Sequence, residues 1–174
     1  MIRAAVVGDA EAIAAVYAPY VLESVATFEE VPPTAAHLAE RMASGLPWLV
    51  AAADGVVGYA YAAQHGQRVG YRWSVDVSVY LAPSARGRGI GTALYDELLP
   101  LVARLGYVSA YAGIALPNDA SVRLHERTGF VPVGVYRDVG FKHGRWLDVG
   151  WWQKRLVDLP ADPPEPKPWD GVRG

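Results

Sequence analysis

The chain has 174 residues, is 52% hydrophobic and 20% charged, and carries a formal net charge of −2. That is the profile of one globular domain with enough chain to bury a core, and the slight acidity argues against a dedicated nucleic-acid binder. Cysteine is absent, which excludes disulfides, a thiol nucleophile and a thiolate zinc site, and fits a reducing cytoplasm.

The N-terminal run from Met1 to Val7 is too short for a signal peptide and ends at Asp9, and no apolar run reaches the roughly 20 residues of a membrane span. Ile2 to Val6 reads as a strand. Asp9 is a candidate N-cap for a helix with Ile13, Val16, Tyr17 and Tyr20 at helical spacing. A loop from Ser24 to Pro33 follows, and Thr34 is placed to cap a second helix holding His37, Leu38, Arg41 and Met42, stopped by Gly45 and Pro47.

Two β-rich runs come next, Trp48 to Ala53 and Val56 to Ala63, with the hairpin dipeptide Asp54-Gly55 between them. Polar residues from Gln64 to Gly70 separate them from a β run over Arg72 to Leu81, closed by Pro83. Gly89 to Leu105 reads as a helix with Leu94, Leu98, Leu101 and Leu105 along one face and a kink expected at Pro100. Val108 to Ile114 is a strand, Asn118 to Gly129 a short helix, and Phe130 to Val135 and Trp146 to Lys154 are the last strands. Hairpin-linked and crossover-linked strands together imply a mixed α/β sheet over residues 1–157. The tail, 158–174, is rich in proline and lacks apolar periodicity, so it is expected to be extended or disordered, or to pack on a partner subunit through Trp169.

The strongest motif is Arg86-Gly87-Arg88-Gly89-Ile90-Gly91, between a β run and a helix. Glycines let the backbone approach an anion, and the first amides of a helix have no internal partners and point at one spot. Arg86 and Arg88 add charge-assisted bonds. The dinucleotide pattern Gly-x-Gly-x-x-Gly fails here, since its third glycine falls on Thr92 or Leu94. The Gly-Lys-Ser/Thr of a nucleotide-triphosphate loop is absent. A plain glycine turn capping a helix is the remaining alternative.

The segment Val75 to Gly91 resembles the acetyl-CoA element of the GNAT superfamily, and Asn118 to Phe130 is similar to that family's Asn-x-x-Ala/Ser-x-x-Leu-Tyr-x-x-x-Gly-Phe. Tyr71 to Tyr80, Ala26 to Glu29, Leu116 to Asp119 and Gly140 to Trp146 resemble the phosphinothricin and methionine sulfoximine acetyltransferases. The resemblance implies a GNAT fold, a splayed mixed sheet of about seven strands with about four helices, acetyl-CoA between the fourth and fifth strands, and a homodimer. It implies transfer of acetyl to the α-amino group of a small amino-acid-like acceptor, without a metal. A non-catalytic CoA sensor, and an acetyltransferase for peptides or other amines, are the alternatives.

On this resemblance Asp76 takes the place of the family's catalytic glutamate, one methylene shorter and able to act through water; glutamate at 76 is expected to be tolerated. His125 stands where many members carry a tyrosine acid, as a proton relay or oxyanion partner, or as a packed core histidine. CoA is expected against Val79, Leu81, Arg86, Gly87, Arg88, Gly89, Ile90, Gly91, Thr92, Asn118 and Ser121, and the acceptor against Phe28, Arg68, Tyr71, Arg72 and Tyr80. An arginine holds a carboxylate through two bonds, which suits an amino acid. Gly66 departs from a basic residue common in relatives, which weakens the case for a doubly anionic acceptor. The four histidines show no metal-ligand spacing.

Overall fold

The computed structural model describes residues 1–171. Seven strands form one sheet in the order β1-β2-β3-β4-β5-β7-β6. They are β1 (Ile2–Ala4), β2 (Trp48–Ala53), β3 (Gly55–Gln64), β4 (Ser74–Leu81), β5 (Ser109–Leu116), β6 (Val131–Lys142) and β7 (Arg145–Arg155). The helices are α1 (Ala10–Glu23), α2 (Ala35–Met42), α3 (Ile90–Arg104) and α4 (Asp119–Arg127). None is long and apolar enough to cross a membrane.

Two cores lie on opposite faces of the sheet. Alternation along β4 sends Val75, Val77, Val79 and Leu81 towards the α3 side, where they meet Leu94, Tyr95, Leu98, Val102 and Phe130. Tyr80, from the alternate set, packs with Tyr17, Tyr59 and Leu38 under α1 and α2. The buried stripe of α3 is Gly91, Leu94, Tyr95, Leu98, Leu99 and Val102. It is a three- and four-residue stripe, wider than a leucine row, and Leu101 and Leu105 only flank it. Truncating Leu98, fully buried there, should cost about 2–5 kcal/mol.

Local signals explain most boundaries. Thr34 Oγ1 accepts from His37 N at 3.2 Å and caps α2. Asp9 does not cap α1. Its carboxylate is held in a two-bond pair by Arg3 at 2.7 and 2.8 Å and accepts from Val6 N, so it ties β1 to the turn before the helix. β4 begins at Ser74, two residues after the expected start, because residues 69–71 wind into a 3-10 turn. β6 runs to Lys142, well past Val135. Two bulges, between Pro132 and Gly134 and between Tyr136 and Gly140, break the alternation that would have marked it.

The described part of the tail lies against its own domain. Glu165 pairs with Arg72, Trp73 Nε1 donates to Pro164 O at 2.8 Å, Lys167 N donates to Leu105 O at 2.7 Å, and Trp169 N donates to Gly45 O at 2.7 Å. Residues 172–174 of the expected tail lie outside the described residues.

The feature that makes a site is a failure of pairing. β4 and β5 run parallel and pair only at Ser74 with Ser109, Val75 with Ala110, and Asp76 with Tyr111. Beyond Asp76 they diverge, while β5 stays paired with β7 along its whole length. The sheet therefore opens into a V whose apex is Asp76 and Tyr111.

Candidate active site

A cleft of about 450 Å³ occupies the V. Its walls are β4 from Val77 to Leu81, β5 from Gly113 to Ala115, the turn before α3, and α4. Of the residues expected to hold CoA, Val79, Leu81, Arg86, Gly87, Gly89, Ile90, Gly91, Thr92, Asn118 and Ser121 all line it. Arg88 does not; it is exposed on the outside of the turn.

The turn has the geometry of an anion cradle. Gly87 and Gly89 have φ of +71° and +77°, the left-handed region that glycine adopts without strain. A Cβ at either would meet nothing within 4 Å, so the glycines serve backbone conformation and leave the approach open. Gly89 is the N-cap of α3, and among the described residues no side chain caps that end. The first-turn amides are thus left for a ligand, and the helix dipole adds positive potential there. Gly91 serves packing: a Cβ there would lie 3.0 Å from Leu124 Cδ2, so its absence lets α4 close against α3.

Along the β4 wall the missing neighbour strand leaves backbone groups facing the gap. Tyr20 of α1 answers part of this. Its hydroxyl donates to Leu81 O at 2.7 Å and accepts from Leu81 N at 3.2 Å. By strand alternation Val79 presents its amide group to the same gap. Arg86 lies 5.0 Å above the Tyr20 ring, which joins the cradle to this wall. Across the gap, Asn118 Oδ1 accepts from Ser121 N at 3.2 Å and caps α4. A long cleft with an amide-bearing edge at one side and an anion cradle at its end fits an extended thioester carrier with a diphosphate.

At the apex Asp76 lies on the face opposite α3. Its Oδ1 is 2.6 Å from His65 Nδ1. Burial pushes the Asp76 carboxyl above its ordinary range, opposed by the bond to His65. The His65 ring stacks on Tyr111 at 4.4 Å and 22°, with Tyr71 and Trp151 at its edges. Gln153 Nε2 donates to Tyr111 Oη at 3.0 Å and fixes that ring in turn.

His125 comes from the other face. It is 3% exposed, with Nδ1 2.8 Å from Ser121 O and Nε2 3.0 Å from Tyr95 Oη. The carbonyl can only accept, so Nδ1 carries the proton and Nε2 accepts from Tyr95. Burial lowers its pKa, which keeps the ring neutral. Both nitrogens are engaged within the chain, the arrangement of a packed histidine, and proton transfer from the ring would require exchanging one of these bonds.

The acceptor residues divide. Tyr80 lines the cleft but is ringed by Tyr17, Tyr20 and Tyr59. Phe28 is packed over Gly140 of β6, where a Cβ would fall 2.2 Å from its ring, and Lys142 Nζ donates to Thr27 O at 2.8 Å to hold the same loop. Arg68 is exposed. Tyr71 folds back over Gly66, where a Cβ would lie 2.7 Å from the ring, so a basic side chain at 66 would have to displace it. Arg72 is occupied: it stacks 3.7 Å over Trp73 and its Nε bonds both Glu165 oxygens at 2.8 and 2.9 Å. Sequence reasoning missed Tyr20, His65, Tyr111, Arg123 and Arg127; the last two line the cleft from α4. The register Gln64 with Val75 places His65 and Asp76 on one face, but the polar connection between the strands hides that register.

An acetyltransferase (GNAT) domain model matches residues 2–151. The chain is 41% identical over 169 residues to the phosphinothricin N-acetyltransferase of Streptomyces viridochromogenes, covering 95% of this chain and 91% of that one. It is 37% identical to the L-methionine sulfoximine/L-methionine sulfone acetyltransferase of Salmonella typhimurium, covering 92% and 96%. The crystal structure of a GNAT superfamily phosphinothricin acetyltransferase from Sinorhizobium meliloti, in complex with acetyl-CoA, superposes with a TM-score of 0.88 at 40% identity, covering 99% of this chain and 94% of that one. With a diphosphate cradle, a splayed β4–β5 gap and a domain match over most of its length, the chain belongs to the GNAT acetyltransferase family.

Proposed function

We propose that the protein transfers an acetyl group from acetyl-CoA to the α-amino group of a small amino-acid-like acceptor, of the phosphinothricin or methionine sulfoximine type. The observation that carries this reading is the V between β4 and β5, with an anion cradle at its wide end and a half-buried carboxylate at its apex. Gly87, Gly89 and the first amides of α3 would hold the diphosphate, with Arg86 beside them, and the free edge of β4 would hold the extended arm. Acetyl-CoA supplies the acyl group as an activated thioester.

Asp76 takes part in removing the proton from the attacking amine. His125 keeps α4 seated on Tyr95 and thereby sets the wall carrying Asn118 and Ser121. Phe28, Arg68 and Tyr71 face the acceptor. Arg72 joins them when an acceptor carboxylate replaces that of Glu165.

The assembly we propose is a homodimer through β6. This edge strand exposes Val131, Val133, Val135, Tyr136, Val139 and Phe141, and an unpaired apolar edge invites a second copy. A chain without cysteine suits the cytoplasm.

Three measurements test the reading and the assembly. Saturating acetyl-CoA should raise the melting temperature while NAD leaves it unchanged; a hundredfold excess over Kd corresponds to about 2.7 kcal/mol. Release of free thiol should occur with α-amino acids from a panel of amines. No thiol release with any of them would refute acetyl transfer. A monomer in sedimentation at micromolar concentration would refute the dimer.

A further inference from the structure

We propose that His65 is the group that takes the amine proton, with Asp76 as the carboxylate that orients and charge-balances it. This rests on the acetyl-transfer reading above and assigns the base within that site.

The two side chains are diagonal neighbours on one sheet face. Ala63 of β3 stands opposite Asp76 of β4, and His65, two residues further, shares the face of Ala63. His65 N donates to Ser74 O at 3.3 Å, so the ladder continues through this residue and fixes its backbone. Asp76 Oδ1 sits 2.6 Å from Nδ1, a short hydrogen bond. An ionised carboxylate only accepts, so the Nδ1 proton belongs to the histidine. The other nitrogen, Nε2, is then a lone pair, and it makes no hydrogen bond among the described residues. The side chain is a quarter exposed.

The ring is also aimed. Tyr111 stacks on it, and Tyr111 is the β5 residue opposite Asp76 at the last paired position before the strands part. Trp151 borders the ring on one edge, and its indole fills the space beneath Gly113, which lines the cleft. Imidazole and Asp76 thus stand together at the apex of the V, next to Tyr111. The titratable groups facing the ring are Asp76 from β4, Tyr111 from β5 and Tyr71 from the turn before β4.

The contrast with His125 sharpens the assignment. Both are histidines near the cleft. His125 spends both nitrogens on its own chain; His65 spends one and keeps the other. The shortness of Asp76 is explained as well, because the carboxylate's partner is the imidazole and the ring extends the accepting atom outward.

The step balances as follows. The amine lone pair forms the C–N bond to the thioester carbonyl carbon. The C–S bond breaks and its electron pair leaves on sulfur. The amine proton passes to His65 Nε2, and the imidazolium returns that proton to sulfur, giving amide and thiol.

The test uses the full chain. His65→Phe keeps a planar ring on Tyr111, and His65→Asn keeps an N–H donor towards Asp76; both lack the second nitrogen. Both should lose at least about 100-fold in kcat/KM while binding acetyl-CoA with wild-type affinity by calorimetry. Added imidazole should restore part of the rate to His65→Ala. Independently of turnover, nitrogen-edited NMR of the wild-type protein should place the His65 proton on Nδ1. Rates within about threefold of wild type with an unchanged pH profile, or a proton found on Nε2, would overturn the assignment and leave acetyl transfer standing. A wild-type protein that releases no thiol overturns both.

Discussion

Replacing Gly89 by valine separates two ways in which a glycine matters. The residue has φ +77° and ψ 0° at the N-cap of α3. An added Cβ would meet no atom within 4 Å, so steric conflict with the protein contributes nothing. What remains is the left-handed backbone, unfavourable for a side chain by about 1–2 kcal/mol. For a chain of this size each kcal/mol lowers the melting temperature by roughly 2–4 °C, so the unliganded variant should melt about 2–8 °C lower. The larger effect falls on the ligand. Valine either keeps the conformation and places its methyl groups in the cradle, or relaxes it and turns the amides of Ile90 and Gly91 away. CoA affinity should drop at least tenfold, about 1.4 kcal/mol. Arg88→Ala is the control, because Arg88 is exposed and outside the cleft lining, and a screened surface charge is worth about 0–1 kcal/mol. Calorimetric titration of CoA into both variants decides the matter. Equal affinities would show that the backbone cradle does not hold the diphosphate.

Asp76→Asn should lower kcat/KM at least about 100-fold and leave acetyl-CoA binding intact, since Asp76 lies outside the cleft lining; steady-state rates between about pH 6 and 10 check it. Asp76→Glu, expected from the sequence to be tolerated, should instead be impaired, because an extra methylene drives the carboxylate into a histidine already 2.6 Å away. His125→Gln should flatten the stability profile below pH 6.5. The folded pKa is depressed by burial, so the unfolded chain binds the proton more readily; wild-type stability is full above 6.5 and falls as pH drops towards the folded value, as urea melts at stepped pH would show. Glu165→Ala removes a partly exposed pair with Arg72 and should shift the melting temperature by no more than about 4 °C, while lowering KM for a carboxylate-bearing acceptor if Glu165 competes for that guanidinium.

The sequence revealed those parts of the site that are local. Gly87 to Gly91 is a contiguous signal whose backbone requirement is written in glycines, and the Asn118 cap is likewise read from a few adjacent residues. What stayed hidden depends on register. His65 reaches Asp76 only because the polar segment between β3 and β4 returns the chain to pair Gln64 with Val75. Tyr20 reads as one more apolar position of α1, yet its hydroxyl serves Leu81 across the sheet edge. β6 went unread past Val135 because bulges at an exposed edge erase the two-residue period. Part of the tail's fastening is to the carbonyls of Gly45 and Leu105, which no side-chain pattern announces.

The geometry of the V also explains why an amide-bearing arm suits this site better than a flat dinucleotide. Beyond Asp76 β4 has lost β5 as a neighbour, and among the described residues Tyr20 serves Leu81 in its place. A buried amide left unpaired costs about 1–3 kcal/mol, so this edge is either wetted or paired by a ligand. An extended chain carrying its own amides replaces water on the strand much as a neighbouring strand would. A nicotinamide dinucleotide offers the cradle a diphosphate but no extended arm to run along β4. The same loss of pairing ends the ladder at Asp76, beside the His65 ring. On the proposed assignment, binding edge and proton acceptor are two results of one divergence between strands.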